Sequence, residues 1–153
     1  MTHEFTDRDT GTVYPTAGAL IDSYIARFGQ VISEATGTEV RFPALDAAGF
    51  TSVSRGSARV GINVLEEQGV LVFVSRIMKA PPEKREECFR FLLELNFTAT
   101  SDASFAIEKE TDTICLRALR SIAGLDYDEF EDMLHAVATV ADEWDDRLMD
   151  MFG

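Results

Sequence analysis

His3 and His135 are the only histidines among 153 residues. A histidine base works only with a nucleophile and an orienting group in reach. His3 lies in a polar N-terminal stretch, and His135 falls two positions past Met133, off the main apolar stripe of a helix. A histidine-based triad therefore has little material. Cys88 would need a cationic, partly exposed setting to act as a thiolate, whereas its neighbours Phe89, Phe91 and Leu92 predict burial. Cys115 also sits among apolar residues. Both are expected to be reduced core thiols behaving as small hydrophobes, as in a cytoplasmic protein. The densest carboxylates are Asp142, Glu143, Asp145, Asp146 and Asp150. Asp142 and Asp146 stand one helical turn apart, close enough in principle to share a hard cation. No Gly-centred loop or second carboxylate pair completes six oxygen ligands, so the plainer expectation is a wet helix face. Glu108, Glu110 and Asp112 likewise suit a solvated hairpin loop. The chain has no Gly-rich phosphate loop, no Cys-x-x-Cys, no His-Glu-x-x-His and no Gly-x-Ser-x-Gly. The expectation is a protein without catalytic residues, metal or cofactor, and not an enzyme.

Charge narrows the partners. Asp and Glu number 27 against 14 Lys and Arg, a formal net charge of -13, and the pI is near 4.4. Such a chain repels polyanions, so nucleic acid and anionic membrane are poor partners. Hydrophobic residues at 46%, with 11 Phe, exclude a disordered chain. No run of about 18 apolar residues is present to span a membrane. At 17.0 kDa, a single domain over residues 15–153 is expected. Residues 1–14, rich in charge and lacking an apolar signal core, read as a flexible tail.

The elements follow from periodicity. Thr16 can cap a helix in which Leu20, Ile21, Tyr24, Ile25, Phe28, Val31, Ile32 and Ala35 recur at spacings of three and four, with Gly37 as its stop. Thr38 to Gly49 reads as a connection. Strands are expected at Phe50 to Arg55, at Ala58 to Leu65 and at Val70 to Met78, the last with Val70, Val72 and Val74 on one face and Leu71, Phe73 and Ile77 on the other. A helix over Pro81 to Phe97 comes next, then a hairpin of Ser104 to Glu108 with Thr113 to Leu119. Asp126 with Glu129, and Leu125 with Phe130, mark the start of a final helix that carries Met133, Leu134, Val137, Trp144 and Leu148 on one side. The order is α-β-β-β-α-β-β-α, an α+β domain with an antiparallel sheet packed by helices.

The helix over Pro81 to Phe97 is apolar around far more than one face. At 3.6 residues per turn, Phe91, Leu95, Cys88, Leu92, Phe89, Leu93 and Phe97 cover an arc of roughly 240 degrees. A helix on its own sheet needs a stripe little wider than about 100 degrees. The surplus predicts a homodimer, with Phe89, Leu92, Leu93 and Leu95 at the interface.

The run Arg85 to Asn96, Arg-Glu-Glu-Cys-Phe-Arg-Phe-Leu-Leu-Glu-Leu-Asn, together with the element order and the acidic balance, resembles the class I type III secretion chaperones, the Tir chaperone family. The resemblance covers nearly the whole domain. In that family a helix with Leu-Leu and a following Asn precedes a hairpin and an acidic helix bearing an aromatic near its end; Leu92, Leu93, Asn96 and Trp144 occupy those places. The pattern is also similar to the YbjN-like bacterial proteins, whose fold is alike. The chaperone resemblance implies a homodimer that holds the extended, disordered N-terminal segment of a secreted client, without nucleotide or catalysis. An extended chain can fill apolar pockets and add backbone hydrogen bonds at an open sheet edge. The three strands carry more apolar face than one helix covers, which makes Phe28, Ile32, Phe50, Val53, Ile62 and Val72 the candidate client-binding residues. The alternatives are a YbjN-like regulator that binds a folded partner, and an acidic immunity-type protein that masks a basic site.

Overall fold

Thr16 and Gly37 delimit the first helix as their chemistry dictates. The Thr16 hydroxyl accepts from the Ala19 N–H at 3.1 Å, and Gly37, in the left-handed region at φ +72, returns its N–H to the Ser33 carbonyl at 2.9 Å. In the computed structural model, which describes residues 5–100 and 102–153, this helix is α1 (Ala17–Thr36). It follows β1 (Phe5–Thr6) and β2 (Val13–Tyr14) and precedes β3 (Phe50–Arg55), β4 (Ala58–Leu65), β5 (Val70–Lys79), α2 (Arg85–Thr98), β6 (Ser104–Glu108), β7 (Thr113–Ser121) and α3 (Tyr127–Phe152). From α1 onward the order is the one expected from periodicity.

Five strands form one antiparallel sheet, packed by helices, in the order β3-β4-β5-β7-β6. The central pairing of β5 with β7 is bracketed at both ends: the Ile122 N–H donates to the Gly69 carbonyl and the Ala80 N–H to the Asp112 carbonyl, each at 2.8 Å. Those two bonds require the strands to run in opposite directions. In the β6–β7 hairpin Phe105 stands opposite Leu116 and Ile107 opposite Ile114. Strand β5 sits third of five, and its Leu71, Val72 and Phe73 are all buried, as two apolar faces demand. Gly49 makes a close approach that only glycine permits. Its φ is +78, and a Cβ there would stand 2.7 Å from the Val64 carbonyl oxygen.

The chain divides into two compact units, neither of them contiguous in sequence. The first holds residues up to Val53, then Gly61–Val72 and Leu119–Asp132. Its core includes Leu20, Tyr24, Phe28, Ile62, Leu71 and Phe130. Here the Glu66 carboxylate accepts the Ala17 and Gly18 N–H groups at 3.1 and 2.6 Å, giving the positive end of α1 an anion. The second unit holds Ser54–Val60, Phe73–Ala118 and Met133–Gly153. Its core includes Phe73, Cys88, Leu92, Leu116, Leu134 and Leu148.

Met1 to Glu4, with His3, lie outside the described residues. The rest of the stretch expected as a tail contains a ribbon, Phe5 opposite Tyr14 and Thr6 opposite Val13. Strands of two residues are too short to show periodicity. Their turn is built by Asp7, whose carboxylate accepts from Asp9 N at 2.9 Å and Thr10 N at 3.4 Å, a local side-chain turn. Helix α2 begins at Arg85 rather than Pro81. The residue before it, Lys84, is left-handed at φ +59 with no side-chain cap, and Arg85 itself is anchored from outside the helix.

Candidate functional site

Two surfaces collect the residues with no evident work inside their own unit. The first is the outward side of α2. Arg85 fixes the helix start by a two-pronged bond to Asp112, 2.9 and 3.0 Å, while its Nη1 reaches the Pro81 carbonyl at 3.2 Å. The guanidinium holds the Asp112 carboxyl below its usual range. Further along, Cys88, Leu92 and Leu95 point inward and are buried. Phe91 meets the Trp144 ring edge-on at 5.8 Å and the Phe152 ring at 6.1 Å. The helix end is tied to β6 by Asn96, whose Oδ1 accepts the Phe105 N–H at 2.7 Å and whose Nδ2 donates to the Phe105 carbonyl at 3.3 Å. One amide side chain thus occupies both polar groups that an edge-strand residue presents.

With these residues committed, Leu93 is left 68% exposed and Phe97 92% exposed. They line a shallow hollow of about 600 Å³ with Arg90, Phe91, Glu94 and Leu95. Of the four residues expected at a dimer interface, Leu92 and Leu95 are buried, Phe89 is half-buried under the Arg85 guanidinium, and Leu93 faces outward. Phe97, part of the same apolar arc but outside the four expected at the interface, is the most exposed of them all.

The second surface runs along α1. The connection after α1 doubles back on it: the Val40 N–H donates to Ser33 Oγ at 2.7 Å, and that hydroxyl donates to the Gly29 carbonyl at 2.8 Å. A Cβ on Gly29 would stand 3.1 Å from the Val40 carbonyl oxygen. Phe42 stacks on Phe28 at 5.5 Å. The result is a groove of about 510 Å³ lined by Ala26, Gly29, Ser33, Val40, Arg41 and Phe42. Small residues on the helix, with Val40 and Phe42 on the connection, form its apolar part, and Gln30, Glu34, Glu39 and Arg41 form its polar part. Of the six residues expected to contact a client, Phe28, Ile32, Val53, Ile62 and Val72 are buried and Phe50 is 42% exposed. Phe50 opens the edge strand β3, where its own N–H and carbonyl are taken by the Asp46 carboxylate and N–H at 3.0 and 2.9 Å.

Groups capable of chemistry have structural partners instead. Asp142 and Asp145 converge on Ser57: the single hydroxyl proton is shared between the two carboxylates, Asp145 at 2.9 Å, and the Ser57 N–H donates to Asp142 at 3.1 Å. These bonds hold the Asp142 carboxyl below its usual range. The pair joined by a common partner is therefore Asp142 with Asp145, not Asp142 with Asp146. Cys88 and Cys115 are free and buried, and burial pushes both thiols up. Among the described residues no group of three or more His, Cys, Asp or Glu is placed to hold a metal ion, and no helix is long and apolar enough to cross a membrane.

Comparison with known proteins agrees with this geometry. The chain is similar in fold to chains in the structures of the ExsC-ExsE complex (TM-score 0.64, 21% identity, covering 86% of this chain and 95% of the other) and the HopA1-SchA chaperone-effector complex (TM-score 0.63, 6% identity, covering 85% and 96%). It is also similar to a chain of the ExoU-SpcU complex from the type III secretion system of Pseudomonas aeruginosa (TM-score 0.59, 19% identity, covering 86% and 97%). No curated protein matches the sequence. The profile of one family matches residues 35–145, a span that includes Arg85 to Asn96, the α2 surface and most of α3. By that match the chain belongs to the Tir chaperone protein (CesT) family.

Proposed function

We propose that this protein is a cytoplasmic, non-enzymatic type III secretion chaperone that acts as a homodimer and keeps an extended segment of a client protein ready for export. The observation that carries the reading is the outward side of α2, where Leu93 and Phe97 lie open on a helix whose other apolar residues are already used. Two copies of this patch, related by a two-fold axis, would cover each other. The complexes among the structural neighbours, a chaperone-effector pair included, support a protein as the client. The α1 groove supplies apolar lining for alternate side chains of an extended chain, the mode in which main-chain bonds give affinity and pockets give selectivity.

Sedimentation equilibrium tests the dimer. Wild type is expected to be dimeric at tens of micromolar, and Phe97→Asp and Leu93→Asp to be folded monomers. Both positions are exposed, so these variants separate assembly from folding in a way that Leu92→Asp, in the core, does not. A monomeric wild type would overturn the dimer. Pull-down with partner identification tests the client: recovery of a secreted protein held through a non-globular segment supports the reading, and recovery of a folded regulator overturns it.

A further inference from the structure

The ribbon of residues 5–14 lies against α1, with Asp7 buried and Asp9 paired to Arg27 of that helix. It has only two strands of two residues each, fewer than the three or more strands that are stable alone in water. The Arg27 guanidinium bonds the Asp9 carboxylate at 2.8 Å, with side chains 39% and 45% exposed, so the pair is open to screening by salt. The same guanidinium lies over the Tyr127 ring, 4.3 Å from its centroid. Tyr127 meets Tyr24 edge-on at 5.8 Å, and both tyrosines are buried. At the other side of the ribbon turn, the Arg8 guanidinium rests against Gly124, where a Cβ would stand 3.2 Å from Nη2. A segment clipped by one exposed ion pair and lacking a core of its own belongs to the low-stability end of local opening.

We propose that residues 5–14 are a built-in cover, clipped by Arg27 and Asp9 over the α1 surface beside Tyr24 and Tyr127, which lifts as a unit while the rest of the chain stays folded. The surface beneath it, aromatic and flanked by one arginine, is then open to an extended segment that carries an acidic residue, as the ribbon itself does at Asp9. That an incoming client displaces the cover rests on the chaperone reading; the lifting does not, and is measured without a client.

Limited trypsin digestion of the full chain reads cleavage after Arg8, and amide exchange reads the Gly11 N–H, bonded to the Asp7 carbonyl at 2.8 Å, against the amides of α1. Asp9→Asn is expected to speed Gly11 exchange roughly threefold to fivefold, the scale of one exposed ion pair, with α1 exchange unchanged; because residue 9 flanks the scissile bond, Arg8 cleavage is compared only within wild type, at low and raised salt. Raised salt does the same to wild type and adds nothing to the variant. Arg27→Gln loses the stack on Tyr127 as well, so Asp9→Asn, which keeps it, is the decisive variant. A labelled synthetic peptide of residues 5–14 is expected to bind Asp9→Asn more tightly than wild type, because the site is vacated more often. The proposal is overturned if wild-type Arg8 cleavage ignores salt and Gly11 exchange ignores the substitution, if these signals track α1 exchange, which would make the ribbon part of the core, or if the peptide binds both proteins equally.

Discussion

Tyr24 places its hydroxyl on the Leu125 carbonyl at 2.8 Å, within a fully buried ring cluster. Tyr24→Phe leaves that carbonyl without its donor and is expected to lower stability to denaturant by about 1–2 kcal/mol. Burial, reinforced by the Asp7 and Asp126 carboxylates, pushes the Tyr24 phenol up to about 12 from 10, and burial pushes Tyr127 up as well. The folded state holds these protons more tightly than the unfolded chain does. The Tyr24 contribution is therefore complete below pH 10 and lost as pH rises through about 12, and that of Tyr127 is lost higher still, a direction fixed by linkage. The unfolding midpoint is expected to fall across that window, with the ultraviolet signal of tyrosinate delayed until it does; native protein that ionises these tyrosines at their ordinary pH would contradict the assignment. At the acid end Asp142 behaves oppositely. Its carboxyl is held down by Ser57, so its contribution is present at neutral pH and disappears only as pH falls through the depressed value. Ser57→Ala is expected to move the acid unfolding midpoint upward in a circular dichroism titration.

Asn96 ends α2 by standing in for a strand beside β6. Asn96→Leu removes both bonds to Phe105 and leaves an edge N–H and carbonyl unpaired, for a cost of about 1–3 kcal/mol and a greater tendency to aggregate through that edge. Chemical denaturation and light scattering read the two effects separately. The capped start of α3, where the Asp126 carboxylate accepts the Glu129 N–H at 2.8 Å, is expected to lose about 1 kcal/mol in Asp126→Ala. That cap was legible in the sequence, as were the ends of α1 and the hairpin of β6 with β7, because each depends on residues within a few positions. The start of α2 was not. Pro81 and Pro82 suit a first helical turn, yet the helix is fixed by Arg85 on Asp112, 27 positions away. Within the site, periodicity revealed that α2 has more apolar surface than one contact uses. Which residues stay outside depends on where Trp144 and Phe152 meet Phe91, and no local pattern carries that. The strand alternation that singled out Val53 and Ile62 marks a buried face, and that is where the structure places them.

Across the whole molecule, a net charge of -13 opposes any pairing of two copies, while the proposed contact through Leu93 and Phe97 is apolar. Screening weakens the repulsion and leaves apolar burial intact. Dimerisation is therefore expected to tighten severalfold as ionic strength rises from about 0.02 to 0.3 M, as read by sedimentation equilibrium; a dimer that loosens with salt would point to an ionic interface. The Glu66 carboxylate at the head of α1 has a consequence in time as well as in energy. It reaches Ala17 and Gly18 from 49 and 48 positions downstream, and domains emerge from synthesis N-terminal end first. A nascent α1 therefore waits, its first turn lacking a counter-charge and its apolar stripe unmatched, until the bend between β4 and β5 has been made. On this account the hairpin and the helix enter the folding nucleus together, and Glu66→Gln should slow refolding more than it speeds unfolding; a chevron displaced only in its unfolding arm would mean that this long-range cap closes last.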